Sequence, residues 1–154
     1  MSSLIETEDK RIACVCNDNS IAICSFDLIN KRIIREIYKK NAHDKDNLYS
    51  LSSVPGNRLV STGDLYDCSF RIWNLTTVSL NIIKVIKNHI NAVLKVIPLT
   101  NGRIASCSSD NTVKIWKDDS ECTHIITLQT EESIGAMLQL KGKEVLVSCG
   151  NTDC

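Results

Sequence analysis

Residues 103–116 read RIASCSSDNTVKIW, and residues 11–24 read RIACVCNDNSIAIC in the same register without a gap. A third copy, RLVSTGDLYDCSFRIW at 58–73, fits once two extra residues are allowed in its turn, and a fourth, EVLVSCGNTDC, begins at residue 144. Each copy consists of apolar runs separated by a turn rich in Asn, Asp, Gly or Ser, which is typical of a β-hairpin. The copies start at residues 11, 58, 103 and 144, so the chain is an array of units 47, 45 and 41 residues apart.

Short strands account for most of the remaining sequence. The runs between turns are rich in Ile, Val and Leu, and no window keeps the 3.6-residue period of a long helix. Units of forty-odd residues with about four strands each have the dimensions of propeller blades, so the predicted fold class is all-β. The predicted strands are 11–16, 21–26, 32–38, 48–52, 58–61, 69–73, 82–86, 92–97, 103–107, 112–116, 124–128, 135–140 and 144–149, and 4–6 is a candidate for a further inner strand.

Composition excludes several classes of protein. The 154 residues carry 18 Lys and Arg against 18 Asp and Glu, a neutral balance that makes nucleic acid an unfavourable main partner. No apolar run approaches the ~18 residues of a membrane span, and the opening MSSLIETEDK has no secretory signal pattern. We therefore expect no membrane partner and a cytoplasmic location, with the nucleus as the alternative.

The cysteines admit three interpretations. An even count of 8 could form four disulfides in a secreted protein, but a reducing compartment favours free thiols buried as small apolar residues. Cys14 and Cys16 form a CxC pair, yet no CxxC accompanies it, so a thiol-based redox or metal protein remains only a third reading. The cysteines are Cys14, Cys16, Cys24, Cys68, Cys107, Cys122, Cys149 and Cys154.

No sequence motif for catalysis is present. Phosphate loops, GxGxxG, GxSxG and HExxH are all missing, so we predict no enzyme activity and no cofactor or metal. One basic segment, 31–40, leaves an RNA- or phosphate-binding module as the alternative function, although charges on an outer strand also prevent edge-to-edge pairing. Its basic residues are Lys31, Arg32, Arg35, Lys39 and Lys40.

The best copy, NHINAVLKVIPLTNGRIASCSSDNTVKIWK at 88–117, resembles a WD40 repeat. Asn88-His89 stands where that family has Gly-His, and Ile115-Trp116 stands near its Trp-Asp end. The resemblance implies a structural network of His, Ser, Asp and Trp in two of the units. Its members are His43, Ser61, Asp67 and Trp73 in one unit and His89, Ser106, Asp110 and Trp116 in the next.

The resemblance implies a WD40-like β-propeller fragment over 1–154, made of four-stranded antiparallel blades in an incomplete ring. The approximate units are 1–42, 43–87, 88–129 and an incomplete 130–154, so the remaining blades are expected from a longer chain or a second chain. WD40 proteins act mainly as non-catalytic scaffolds for other proteins, often through the face that bears the His and Asp loops. On this chain that face carries Asn17, Leu65, Tyr66, Ile90 and Ser109 as candidate partner-binding residues.

Overall fold

The computed structural model of the chain describes residues 3–43, 48–100, 102–119, 121–140 and 146–150. Within these ranges every regular element is a β-strand, as the all-β prediction requires. The strands are β1 (Leu4–Glu6), β2 (Ile12–Val15), β3 (Ile21–Asp27), β4 (Arg32–Lys39), β5 (Leu48–Val54), β6 (Arg58–Gly63), β7 (Ser69–Leu75), β8 (Leu80–Lys87), β9 (Val93–Leu99), β10 (Arg103–Ser108), β11 (Thr112–Lys117), β12 (His124–Gln129), β13 (Ile134–Gln139) and β14 (Leu146–Gly150).

The strands form successive antiparallel meanders. The first sheet has the order β1-β2-β3-β4, the second β5-β6-β7-β8 and the third β9-β10-β11-β12, and β13 pairs with β14 in a fourth. The first strands of neighbouring sheets pack together, β1 on β5, β5 on β9 and β9 on β13, so they line the inside of an arc. In the part of the chain described, the arc does not close into a ring, which confirms the incomplete propeller. We call the four sheets blades 1 to 4.

Each junction between blades is an apolar layer supplied by strands of both. Trp73 of blade 2 belongs to the cluster that contains Ile21, Ile23 and Ile37 of blade 1. Trp116 of blade 3 lies in the next cluster, where its ring meets Phe70 edge-on at a centroid distance of 5.4 Å. Burying side chains of this size stabilises each junction by about 1.5–3 kcal/mol per residue.

Arg11 joins blade 1 to the β7–β8 turn of blade 2. Its Nη2 donates to the Thr76 carbonyl at 2.7 Å and its Nη1 to the Thr77 carbonyl at 3.2 Å. Asp9 accepts from Nε and Nη2, and Glu36 accepts from Nη1. All five N–H groups of a guanidinium can be used in this way, so the buried charge is compensated.

Arg58 makes the equivalent bridge from blade 2 to blade 3. Its two terminal nitrogens each donate at 2.8 Å to Asp118, which lies in the β11–β12 turn. Its Nε donates to the Pro55 carbonyl at 2.8 Å. Because Arg11 and Arg58 occupy the same position in the repeat, the bridge is a repeating feature of the architecture.

Several sequence predictions need correction. Most of the strands extend one or two residues beyond the predicted apolar runs, because ladder hydrogen bonds continue into the polar turn residues. The predicted strand 92–97 ends before Pro98, yet Pro98 lies inside β9, opposite Ile104. It is tolerated there because β9 is an edge strand, where a missing N–H costs no ladder bond. The cysteines were expected to be buried, yet of the six described only Cys107 and Cys122 are, although all six are free.

Candidate functional site

The turns that carry the predicted site residues lie together on one face of the arc. We call it the loop face, and define it as turns 16–20, 64–68 and 109–111 with connections 40–43, 88–92 and 130–133. Backbone hydrogen bonds tie these segments together: Ser109 donates to the Ala92 carbonyl, Ala42 to Asn19 and Thr130 to Asn111. A turn and a connection therefore support each other through backbone bonds in blades 1 and 3.

In blade 2 the structure brings His43, Ser61, Asp67 and Trp73 into one chain of contacts. His43 Nδ1 lies 2.5 Å from Asp67 Oδ2, and His43 Nε2 lies 2.8 Å from Ser61 Oγ. The Trp73 indole donates to the same Ser61 oxygen at 2.8 Å. The chain of bonds runs from the loop face into the junction with blade 1.

In blade 3 the same contacts join His89, Ser106, Asp110 and Trp116. His89 Nδ1 lies 2.8 Å from Asp110 Oδ2, and Ser106 Oγ lies 2.8 Å from both His89 Nε2 and Trp116 Nε1. Asp110 also accepts from backbone N–H groups, at 3.1 Å from Ile90. The carboxylate therefore fixes both the 88–92 connection and its own turn.

The donors and acceptors determine the proton positions in this network. A serine hydroxyl has one proton, and because the indole can only donate, the hydroxyl donates to His89 Nε2. His89 Nδ1 then carries the ring proton and donates to Asp110. Burial lowers the pKa of His89, against the opposing effect of Asp110, and so keeps the ring neutral. Burial opposes ionisation of Asp110, but hydrogen bonds from Thr112 and His89 give its pKa a net downward shift.

Blade 2 differs from blade 3 in its surroundings. Asp67 faces two cations, with Arg71 Nη2 at 3.3 Å and Lys87 Nζ at 3.4 Å. Burial opposes its ionisation, yet the hydrogen bond from His43 helps to lower the pKa of Asp67. Gly63 makes room for this arrangement, because a Cβ there would lie 2.6 Å from His43 Nδ1 and 2.9 Å from Asp67 Oδ2.

Blade 1 shows what happens where the histidine is missing. Asp18 accepts hydrogen bonds from Ser20 and from the Tyr38 hydroxyl, and these bonds lower its pKa. The residue after the aspartate is left-handed in all three turns, with φ of 60° at Asn19, 49° at Cys68 and 60° at Asn111. Asparagine adopts this conformation more readily than cysteine, so the left-handed residue is less favourable in the blade 2 turn than in the other two.

The candidate partner-binding residues all lie on the loop face. Tyr66 and Ile90 are 75% and 88% exposed, Leu65 is half exposed, Asn17 is exposed and Ser109 is partly buried. Burial and the charges of Asp67 and Asp110 raise the pKa of Cys68, because the 64–68 turn stands beside blade 3. Lys87 Nζ, next to the 88–92 connection, lies 3.4 Å from Asp67 Oδ1 in the 64–68 turn. Leu65 and Tyr66 therefore belong to the same surface as Ile90.

A cavity of about 270 Å³ opens between the inner strands close to this face. Tyr49 and Lys95 are its largest polar side chains. Burial and the neighbouring Asp64 carboxylate raise the pKa of Tyr49. The cavity is lined by Ser3, Tyr49, Ser50, Leu94, Lys95, Gly135, Ala136 and Met137.

The basic segment 31–40 lies on and beside β4, the outer strand of blade 1. Arg35 stands 4.5 Å from the centroid of the Tyr38 ring, and Arg32 pairs with Asp27 at 3.5 Å. Two of its five cations therefore already have partners inside the chain.

The described residues were also searched for a metal site, a membrane-spanning helix and a reactive thiol. No group of three or more His, Cys, Asp or Glu side chains among them could hold a metal ion. None of them forms a helix long and apolar enough to cross a membrane. Cys14 has its pKa raised to about 11 by burial and by the neighbouring Cys16 and Cys24 thiols, so it is a weak nucleophile at neutral pH.

Known proteins resemble this chain in sequence and in fold. The family model "WD domain, G-beta repeat" matches residues 34–74 and 80–117. WD repeat-containing protein 37 of Homo sapiens is 26% identical over 110 residues, which cover 71% of this chain and 22% of that protein. Nuclear distribution protein nudF of Aspergillus flavus is 35% identical over 86 residues, 53% of this chain and 18% of that protein.

The fold also matches a solved structure. The crystal structure of the RRP9 WD40 repeats superposes with a TM-score of 0.76 at 21% identity, covering 96% of this chain and 44% of that one. The chain spans about a fifth of the length of the curated relatives named above. Because the matched family segments cover half of its residues, the chain belongs to the WD40 repeat family and forms part of a β-propeller.

Proposed function

We propose that this chain is a non-catalytic scaffold that binds a protein partner on its loop face. Proteins of the WD repeat family generally act as interaction scaffolds, which supports the broad role. The observation that carries the specific proposal is the exposure of Leu65, Tyr66 and Ile90 on neighbouring loops of one surface. We further propose that the protein works in the cytoplasm or nucleus, because its six described cysteines are free thiols.

The physical case rests on rigidity as much as on exposure. Interface energy concentrates in a few apolar and aromatic anchors, and Tyr66 is an aromatic ring at the tip of a turn. Ordering a mobile loop on binding costs affinity, whereas Asp67 and Asp110 already fix these loops through buried hydrogen bonds. An anchor on a fixed loop therefore retains more of its contact energy.

The test is capture of a partner from cell extract by the immobilised chain, followed by measurement of affinity for the protein captured. We expect the double substitution Leu65→Ser with Tyr66→Ala to reduce that affinity by at least about tenfold, because truncated hot-spot residues cost about 2 kcal/mol or more. Its melting temperature should stay within about 2 °C of wild type, since exposed substitutions usually change stability by less than about 0.5 kcal/mol.

The matched control truncates an exposed apolar pair on the opposite face of the arc. Leu28 and Ile29 form an exposed apolar pair in the β3–β4 turn, so Leu28→Ser with Ile29→Ala should leave capture unchanged. Equal loss in both double variants, or unchanged affinity in the Leu65 and Tyr66 variant, would refute docking on the loop face. Loss that scales steeply with added salt would instead favour phosphate recognition through segment 31–40.

A further inference from the structure

The cavity between the first residues of β5, β9 and β13 is a preformed space beside the loop face. Its lining residues directly follow the connections 88–92 and 130–133, which belong to that face. Blades 2 and 3 each have a described neighbour on both sides, so the walls of the cavity do not depend on any further blade. Its volume of about 270 Å³ is below the roughly 300–1,000 Å³ of small-molecule pockets and suits a single side chain.

A β-bulge occurs at the same place in all three inner strands. The antiparallel pairing skips Tyr49 in β5, Leu94 in β9 and Gly135 in β13. Bulges are frequent next to functional sites, because the extra residue leaves the ladder and changes the direction of the side chains around it. All three skipped residues line the cavity, so the distortion of the strands and the cavity have the same location.

Lys95 is the charged side chain of the cavity. It is half-buried, and it forms no hydrogen bond or ion pair with any residue that the structure describes. The equivalent residues, each the first to pair after the bulge, are Ser50 in β5 and Ala136 in β13, so the repeat itself does not require a cation here. A partly buried ammonium group without a counter-charge is unfavourable, and an anion in the cavity would supply one.

Two serine hydroxyls add uncharged donors to the same cavity. Ser50 is only 6% exposed, and among the described residues its Oγ reaches only the Leu51 carbonyl, at 3.5 Å, the outer limit of a hydrogen bond. Ser3 Oγ accepts from the Leu51 N–H at 3.1 Å, which leaves the hydroxyl proton of Ser3 available to donate. Because buried hydroxyls normally have a full-strength partner, Ser50 marks a place where a ligand oxygen can bind.

The charges around the cavity select a monoanion. Lys95 provides one positive charge, and the Asp64 carboxylate, which together with burial raises the pKa of Tyr49, would repel a second negative charge. A carboxylate carries one charge on two acceptor oxygens, whereas a phosphate ester carries about −1.5 to −2 charges at pH 7. Leu94 and Met137 form an apolar part of the wall that suits methylene groups.

We propose that this cavity receives the side-chain carboxylate of an aspartate or glutamate from the protein that docks on the loop face. The carboxylate pairs with Lys95 and accepts hydrogen bonds from Ser50 and Ser3, while its methylene groups pack against Leu94 and Met137. The inference rests on the proposed function, because the acidic residue belongs to the docked partner, and it adds the chemistry by which that partner is selected. A charge pair in a partly buried cavity favours an acidic residue over its neutral amide.

Selection from a random dodecapeptide library displayed on phage tests this chemistry with a defined probe. We expect the immobilised chain to select a consensus that contains one fixed Asp or Glu. The synthetic consensus peptide should bind at least about tenfold more weakly when that residue is replaced by its amide, or when the chain carries Lys95→Met, because each change removes one member of a charge-assisted pair. The two changes together should cost little more than either alone.

Three controls isolate the charge of Lys95. Lys95→Arg keeps the positive charge and should retain most of the binding, whereas a general packing defect would not be rescued. Lys40→Met removes an exposed lysine from the 40–43 connection of the loop face, outside the cavity, and should leave binding unchanged. At equal ionic strength, acetate should compete with the peptide at least as well as inorganic phosphate does.

The outcomes separate this cavity from the wider proposal. Lost binding in Leu65→Ser with Tyr66→Ala, together with unchanged binding in Lys95→Met, would keep docking on the loop face and overturn the acidic site. Loss in Lys95→Met alone would keep the acidic site and exclude Leu65 and Tyr66 as anchors. Failure to select any peptide, a consensus without a fixed acidic residue, equal loss in Lys40→Met, or stronger competition by phosphate than by acetate would each overturn the inference.

Discussion

Replacing Ser106 by alanine removes the hydroxyl oxygen that contacts both His89 and Trp116 in the blade 3 network. Ser106 is fully buried, and its Oγ lies 2.8 Å from both Trp116 Nε1 and His89 Nε2. The substitution leaves an indole donor and an imidazole acceptor without partners in the interior. Each such unpaired group costs about 1–3 kcal/mol, so we expect the free energy of unfolding to fall by roughly 3 kcal/mol. For a chain of this size the melting temperature should fall by roughly 6–12 °C.

Urea unfolding followed by tryptophan fluorescence measures this cost. Ser50→Ala is the matched control, because Ser50 is also buried but, among the described residues, its hydroxyl reaches only the Leu51 carbonyl, at 3.5 Å. It should cost less than about 1 kcal/mol. In a Trp116→Phe background the Ser106 substitution should cost less than in wild type, since one orphaned donor is already gone. Equal unfolding midpoints for the two serine variants would refute the network as a source of stability.

Two further outcomes follow from the same networks. Burial lowers the pKa of His89 below its ordinary 6.5, so the unfolded chain binds that proton more readily than the folded chain. The His89 contribution to stability is therefore complete above about pH 6.5 and is lost as the pH falls. Between pH 7 and 5 the urea midpoint should drop by less in His89→Gln than in wild type. Gly63→Ala should destabilise the chain by about 1–3 kcal/mol, because its Cβ would press on His43 and Asp67; an unchanged thermal midpoint would contradict that packing.

The repeat pattern made most of the fold predictable. Alternating apolar runs and Asn- or Asp-rich turns recur at a blade-like interval, and that regularity specifies antiparallel hairpins whatever the individual side chains are. The resemblance to WD40 repeats, and not the spacing alone, named the His, Ser, Asp and Trp side chains that the structure brings into contact. Local chemistry and repetition predicted the hairpins, and knowledge of the family predicted the network.

The interblade arginine bridges could not be predicted, although their signal was visible. The copies at 11, 58 and 103 all open with arginine, but the partners of Arg11 and Arg58 across the junction lie about 60 residues away on a different blade. The alignment of the copies shows that an arginine recurs at this position, but it does not show which residue that arginine contacts. The hydrogen bond from Tyr38 to Asp18 was not predicted for the same reason, because it depends on how β4 folds back over the turn.

Hydrogen exchange of the chain with its captured partner is the most direct test of the scaffold proposal. Slower exchange in turn 64–68 and connection 88–92, with the β3–β4 and β7–β8 turns unaffected, is the result expected for docking on the loop face. Protection confined to those opposite turns, or to strand β4 with its basic residues, would contradict the proposal.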